Sequence, residues 1–410
     1  MLWHEAAVGK RVHVINIIWG MKGMNRTLEA ALHGREISTP CLVLDIPRVG
    51  ANYRNFAHAM EGMDVYYAVK ANPHPAILQC LADAGCNFDC ASREEVEMVL
   101  RTGAGAERIS FGSTMKKAKD IADTYDLGVR LYAFDAEEEV RKLAENAPGA
   151  HVFCRILTNP DGVGALWPLT RKFGCDDEMA ISLLELAKEL GLNPRGVSFH
   201  VGSQQTNMAA WDAAIRQAFN IFEELEAKGI SLDLVNIGGG FPTDFGDGDT
   251  PSFHEYGASI NDGLQHYFGD RKPRIIAEPG RAIVGDAGII ASEVVLVSRK
   301  ARHDSYRWVY IDIGKYHGLA ETEDEAIRYH VSAPMVSGDL SPSILAGPTC
   351  DSVDTMYEKN PVPLPEGLKA GDMVYLHDTG AYTSTYSSVG FNGFPPLDVK
   401  LLDEILEPRA

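Results

Sequence analysis

Basic residues are scarce in this chain of 410 residues: 38 Lys and Arg stand against 57 Asp and Glu, a formal net charge of −19. That deficit argues against a nucleic-acid partner and against an anionic membrane, since neither gains from meeting an acidic surface. A small cationic ligand is compatible with it. Cysteine is sparse as well. Seven residues, an odd number in so long a chain, do not suit a disulfide framework. Cys80, Cys86 and Cys90 are close together but without the paired short spacing of a zinc site, so the expectation is buried, reduced thiols, no metal and a cytoplasmic protein. Long apolar runs are missing too. Val12–Trp19 follows Lys10 and Arg11 in the outline of a signal peptide, yet it is short, contains His13 and Asn16, and precedes no small-residue cleavage site. Residues 1–24 therefore read as a disordered or loosely attached extension, with Met21 and Met24 just ahead of the first well-patterned segment. Repeats and low-complexity tracts are absent. What remains is an ordinary globular composition, 45% hydrophobic and 23% charged, in a chain long enough for two domains.

The middle of the chain alternates short β-rich runs with helical patterns. The runs are Val65–Lys70, Phe88–Ala91, Ile109–Gly112, Leu131–Phe134, His151–Ile156, Gly196–Val201, Leu234–Ile237 and Arg274–Ala277. Between them, Arg93–Leu100 and Glu137–Asn146 space apolar residues by three and four. Asp177–Leu190 does the same, presenting Met179, Ile181, Leu183, Leu184, Leu186 and Leu190 ahead of Gly191. Eight such units satisfy the count for an α/β fold of the (β/α)8 TIM-barrel type over residues 45–281. A doubly wound open sheet is the rival, because periodicity does not show closure. After residue 282 the texture changes: Gly288–Ser298, Arg307–Asp312 and Met373–His377 are strand-like, and so is the early Leu42–Asp45. The expectation is a second, mostly β domain built from residues 25–44 and 282–410, with Pro361–Gly371 a loop between two of its strands.

In a barrel, chemistry sits at the C-terminal ends of the strands, and phosphate is often held by the loops after strands seven and eight. Strand seven runs into Gly238-Gly239-Gly240 and strand eight into Glu278-Pro279-Gly280-Arg281. Glycines let backbone N–H groups approach an anion, and the arginine adds charge-assisted hydrogen bonds. A triple glycine alone is more often a tight turn; its coincidence with the arginine points to phosphate. Strand one ends at Lys70, facing that place, as a pyridoxal-phosphate aldimine requires: an amine near the aldehyde and an anion clamp at the far end. His200, at the end of strand six, can be a core residue or a ring-stacking and proton-transfer group. Asp89, Glu95 and Arg155 sit at or just beyond strand ends, where structural ion pairing and site chemistry are about equally common.

Tyr67-Ala68-Val69-Lys70-Ala71-Asn72, Phe88-Asp89-Cys90-Ala91-Ser92, Phe199-His200-Val201-Gly202-Ser203, Gly238-Gly239-Gly240-Phe241-Pro242 and Glu278-Pro279-Gly280-Arg281 resemble the fold-type III pyridoxal-phosphate-dependent decarboxylases. Gly347-Pro348-Thr349-Cys350-Asp351, Gly380-Ala381-Tyr382-Thr383 and Phe391-Asn392-Gly393-Phe394 follow in the same order, so the resemblance runs from about Thr39 to about Pro396. It is nearest to the bacterial ornithine decarboxylases.

The resemblance implies pyridoxal 5'-phosphate bound to Lys70, with Glu278 on the pyridine nitrogen and His200 stacked on the ring. It implies phosphate held by Gly238, Gly239, Gly240, Arg281, Ser203 and Tyr382, and hydrogen bonds ordered by Asp89, Glu95 and Arg155. Cys350 would protonate the substrate Cα, and Asp351 would bind its distal ammonium, both reaching into the partner's site of a homodimer. The implied reaction is L-ornithine to putrescine and CO2. The segment after Tyr316, His317–Asp324, departs from the eukaryotic ornithine enzymes; Glu321, Glu323 and Asp324 all compete for the place of a second substrate carboxylate, and Asp324 is taken here with Tyr316 and Phe391. A diaminopimelate enzyme is expected to carry glutamate where Asp351 stands. Lysine or dual lysine/ornithine activity stays open, as does, more remotely, a racemase-like activity or a catalytically dead regulator-binding homologue.

Overall fold

The computed structural model describes residues 26–158, 165–167, 172–245 and 250–407; the extension expected over residues 1–24 lies outside them. Eight parallel strands close into a barrel: Asp64–Ala68, Asn87–Cys90, Ile109–Phe111, Leu131–Phe134, His151–Arg155, Asn193–Ser198, Leu234–Asn236 and Arg274–Ala277. Closure is direct, since Ile276 and Ala277 of the last strand pair with Asp64 and Val65 of the first. An open doubly wound sheet is therefore excluded.

Alternation along the first strand shows how the barrel fills. Tyr67 packs into the main core, whereas Tyr66 joins Leu131, Ala133, Phe153, Leu234 and Ile276 in a separate buried cluster drawn from five strands. Such strands are covered on both faces, which is why they read as near-continuous apolar runs. The helices Arg93–Leu100 and Glu137–Asn146 have the bounds that their spacing predicts. The helix Asp177–Glu189 is turned slightly from its predicted face: Ala180 and Ala187 are buried, while Met179 is 50% exposed.

Of the other strands among the described residues, Ala165–Trp167 pairs separately with Ser203–Gln205, and nine form a mixed sheet. Its spine is Gly288–Ser298, which pairs antiparallel with Arg307–Ile311 and with Met373–Leu376. The early strand Cys41–Leu44 joins this sheet, antiparallel to Gly288–Ser298 and parallel to Asp398–Leu401. One expectation is corrected here. Pro361–Gly371 is not simply a loop, because Val362–Pro365 pairs antiparallel with Leu340–Ala346. Its two prolines are tolerated because the strand lies at a sheet edge, with Leu340–Ala346 as its paired neighbour.

Candidate active site

Lys70 is delivered by a turn rather than by the strand itself. The strand stops at Ala68, and Val69–Ala71 forms one 3-10 turn, closed by the Asn72 N–H donating to the Val69 carbonyl at 3.1 Å. Asn72 is buried and holds the turn from both sides. Its Nδ2 donates to the Gly380 carbonyl at 2.8 Å, and its own carbonyl accepts from the Tyr67 hydroxyl at 2.9 Å. The Lys70 side chain emerges half-exposed, with Nζ 3.9 Å from Asp89 Oδ2. Partial desolvation at the barrel mouth opposes the Lys70 ammonium, but Asp89, Tyr382 and Glu278 outweigh it and raise its pKa.

Asp89 is buried and its Oδ1 has no hydrogen-bond partner. Burial, reinforced by Glu278, pushes its pKa well up against the pull of Lys70. Ser92 caps the helix Arg93–Leu100 by accepting from the Glu95 N–H at 3.2 Å, and this places the Glu95 carboxylate where the Ala91 N–H donates to it at 2.6 Å. Arg155 ends strand five, its pKa lowered by burial although Glu278, Asp135 and Asp89 oppose. Just past strand six, burial together with Arg155 and Lys70 drives the His200 pKa down to about 3. Its imidazole is thus neutral, an uncharged flat face rather than an acid. Glu278 is held by Asn236, whose Nδ2 donates to Oε1 while its Oδ1 accepts from the Gly238 N–H. Six chemically active side chains from five of the eight strand ends and the helix after strand two thus act on one another's charge.

The glycine loop and the arginine expected to hold phosphate lie at the next two strand ends. Gly238 and Gly240 have φ of +65° and +101°, and a Cβ there would overlap the carbonyl oxygens of Phe199 and Gly202. No side chain fits, so the backbone itself forms the surface. Thr243 ties this loop to its neighbours: its N–H donates to Gln204 Oε1 at 2.7 Å and its hydroxyl to the Arg281 carbonyl at 3.0 Å. Arg281 is 3% exposed, and its Nε and Nη1 have no hydrogen-bond partner. Tyr382 lies over it, ring centroid 4.9 Å from Cζ, in a left-handed backbone conformation with its N–H on the Ala71 carbonyl. Ser203 begins the short strand Ser203–Gln205, whose Gln205 N–H donates to the Gly240 carbonyl at 2.9 Å.

A second group gathers on the mixed-sheet side. The Tyr316 hydroxyl donates to Asp351 Oδ2 at 2.8 Å, the Tyr316 and Phe391 rings lie 4.5 Å apart, and the Cys350 N–H donates to Asn392 Oδ1 at 2.9 Å. The Val353 N–H and the Tyr316 hydroxyl lower the Asp351 pKa, so it stands as an anion beside an exposed thiol. Among the described residues, no hydrogen bond, ion pair or ring contact joins this group to the barrel residues above. Asp324 is not brought to it: that side chain is 84% exposed and ion-paired with Lys359 at 3.1 Å. Glu323 pairs with Lys315, and Glu321 with Arg281.

Asp354 has no motif around it that sequence reasoning would use. It is 2% exposed and accepts from the Thr349 hydroxyl at 2.7 Å, the Thr349 N–H at 3.2 Å and the Lys315 N–H at 2.8 Å. One carboxylate thus fastens the turn before Cys350 to the turn before Tyr316. Asp354→Ala orphans those donors and is expected to cost about 3 kcal/mol of stability. It should lower decarboxylation at least tenfold with cofactor affinity unchanged, read by denaturant melts and cofactor titration.

The family described as pyridoxal-dependent decarboxylase, pyridoxal binding domain, matches residues 47–285. The lysine/ornithine decarboxylase of Selenomonas ruminantium is 34% identical over 364 residues, covering 88% of each chain. This chain belongs to the pyridoxal-dependent decarboxylases. The ornithine decarboxylase of Caenorhabditis elegans is 31% identical over 398 residues, 93% of this chain and 92% of that one. A solved lysine/ornithine decarboxylase of Vibrio vulnificus, in complex with cadaverine, superposes with a TM-score of 0.81 at 30% identity, over 92% of this chain and 97% of that one. The decarboxylase is accordingly a lyase that uses pyridoxal phosphate, and its own geometry fits the group: a backbone cradle that excludes any Cβ, beside a buried arginine with two unspent donors. Among the described residues no helix is long and apolar enough to cross a membrane, and no cluster of ligands suits a metal ion.

Proposed function

We propose that the protein decarboxylates L-ornithine to putrescine and CO2, as a cytoplasmic homodimer with two shared active sites. The observation that carries the substrate is Asp351, an anion beside Cys350 and against Tyr316, suited to a distal ammonium and repellent to a distal carboxylate. Bound pyridoxal phosphate supplies the sink for the electron pair left when CO2 departs. Lys70 would hold it through its amine, the Glu278 carboxylate would keep a proton at the pyridine nitrogen, and neutral His200 would offer its flat face to the ring. The glycine N–H groups, Arg281, Ser203 and Tyr382 would bind its phosphate, while Asp89, Glu95 and Arg155 would order the hydrogen bonds around Lys70. Cys350 and Asp351 enter from the partner subunit, the thiol giving a proton to the substrate Cα.

Lysine is the second reading, favoured by the naming of the Selenomonas ruminantium relative as a lysine/ornithine enzyme. One methylene separates the two substrates, worth about 1–3 kcal/mol in a pocket. Purified protein with cofactor, offered ornithine, lysine, arginine and diaminopimelate, should give its highest kcat/KM on ornithine, with lysine roughly 10- to 200-fold lower. Diaminopimelate should not react. A higher kcat/KM on lysine or on diaminopimelate would overturn the assignment.

A further inference from the structure

The Arg281 guanidinium is oriented by a residue outside the barrel. Its Nη2 donates to both oxygens of Glu321, each at 2.7 Å, across a separation of 40 positions. Glu321 is the second residue of the short 3-10 segment Ala320–Glu325 and is fixed there by the Ile327 N–H donating to its carbonyl at 3.0 Å. The side chains are 3% and 9% exposed. A pair so buried gives up much hydration and is a poor source of stability, so its value lies in what it orients. One guanidinium nitrogen is spent on Glu321, one face is covered by Tyr382, and Nε and Nη1 make no hydrogen bond of good geometry, the buried Tyr329 hydroxyl being the other polar group that feels the guanidinium.

We propose that Glu321 is a positioning residue for the cofactor phosphate: by occupying Nη2 it turns the two unspent donors of Arg281 towards the Gly238–Gly240 cradle. The proposal rests on the reading that Arg281 holds that phosphate. It predicts a sign that simple charge does not. A carboxylate near an anion site repels the anion, so by charge alone its removal would tighten phosphate binding. Positioning requires the reverse, because a guanidinium free to swing presents its donors less often.

The test compares ligands that differ only in the phosphate. The full-length chain, stripped of cofactor, is titrated with pyridoxal phosphate and with pyridoxal, and with inorganic phosphate as a competitor. Glu321→Ala should lower the preference for the phosphorylated ligand about tenfold or more and weaken competition by phosphate to match. Glu321→Gln keeps one acceptor for Nη2 and should lose less. Should Glu321→Ala fail to fold, Glu321→Asp, its carboxylate withdrawn by one methylene, carries the same comparison. An unchanged or increased preference in the Glu321 variants, with the preference lost in Arg281→Ala, overturns the positioning role alone. If Arg281→Ala keeps the preference, the reading of Arg281 falls first and this role with it.

Discussion

Lys70→Ala is expected to end covalent attachment of the cofactor and to lower decarboxylation by roughly 10³-fold or more, the scale for losing a positioned nucleophile and acid–base group. The structure makes this variant a clean one. The turn that carries Lys70 is closed by backbone bonds and by Asn72, none of which uses the lysine side chain, so the variant should fold. Lys116, beyond the third barrel strand, is no substitute: its ammonium is buried against Glu139 at 2.9 Å and donates to the carbonyls of Ser113 and Ala133. Borohydride reduction of the wild-type protein followed by peptide mapping should therefore find the cofactor on Lys70. Recovery of the label on any other lysine would falsify this assignment of the site.

Two inactive chains should restore one another. Lys70, Asp89, His200 and Glu278 cluster at the barrel's strand ends, whereas Cys350, Asp351, Tyr316 and Phe391 form their own group, Cys350 exposed and the other three half-buried, joined by their own contacts. A thiol and an anion set on the surface, with the cofactor residues elsewhere, suit a site completed by a second copy of the chain. An isologous dimer then carries two equivalent shared sites. Lys70→Ala still offers a sound Cys350, and Cys350→Ala a sound Lys70. Mixing them with subunit exchange should return up to about a quarter of wild-type activity, since random pairing makes half the dimers mixed and each mixed dimer has one intact site. If both variants are folded and exchange is verified by mass spectrometry, a mixture that stays inactive rules the shared site out.

Much of the fold was legible because its signals are local. Alternation of period two and spacing of three and four residues arise within a single segment. The eight strands and their order could thus be read from the chain, and residues at or just past six of the strand ends were identifiable as site candidates without any contact map. Val362–Pro365 escaped because proline suppresses the strand pattern, and only its place at a sheet edge makes pairing possible. Closure, too, needed the pairing of Ala277 with Val65, which no window of sequence contains.

The site divides in the same way. That Lys70, His200, Gly238 to Gly240 and Arg281 belong together follows from their shared position at strand ends. How they are held does not. The turn under Lys70 depends on Asn72 meeting Gly380, Arg281 on Glu321, and the Cys350 loop on Asp354 receiving Lys315 and Thr349. His200 could be named from its motif, but its neutrality comes from burial beside Arg155 and Lys70. Asp324 looked as apt as Glu321 in the chain, and packing sent one to the surface and the other to a buried arginine. The physical reason is common to all of these. A side chain's chemistry is carried by its own residue, whereas its orientation and charge state are set by groups that only the folded chain brings within hydrogen-bond reach.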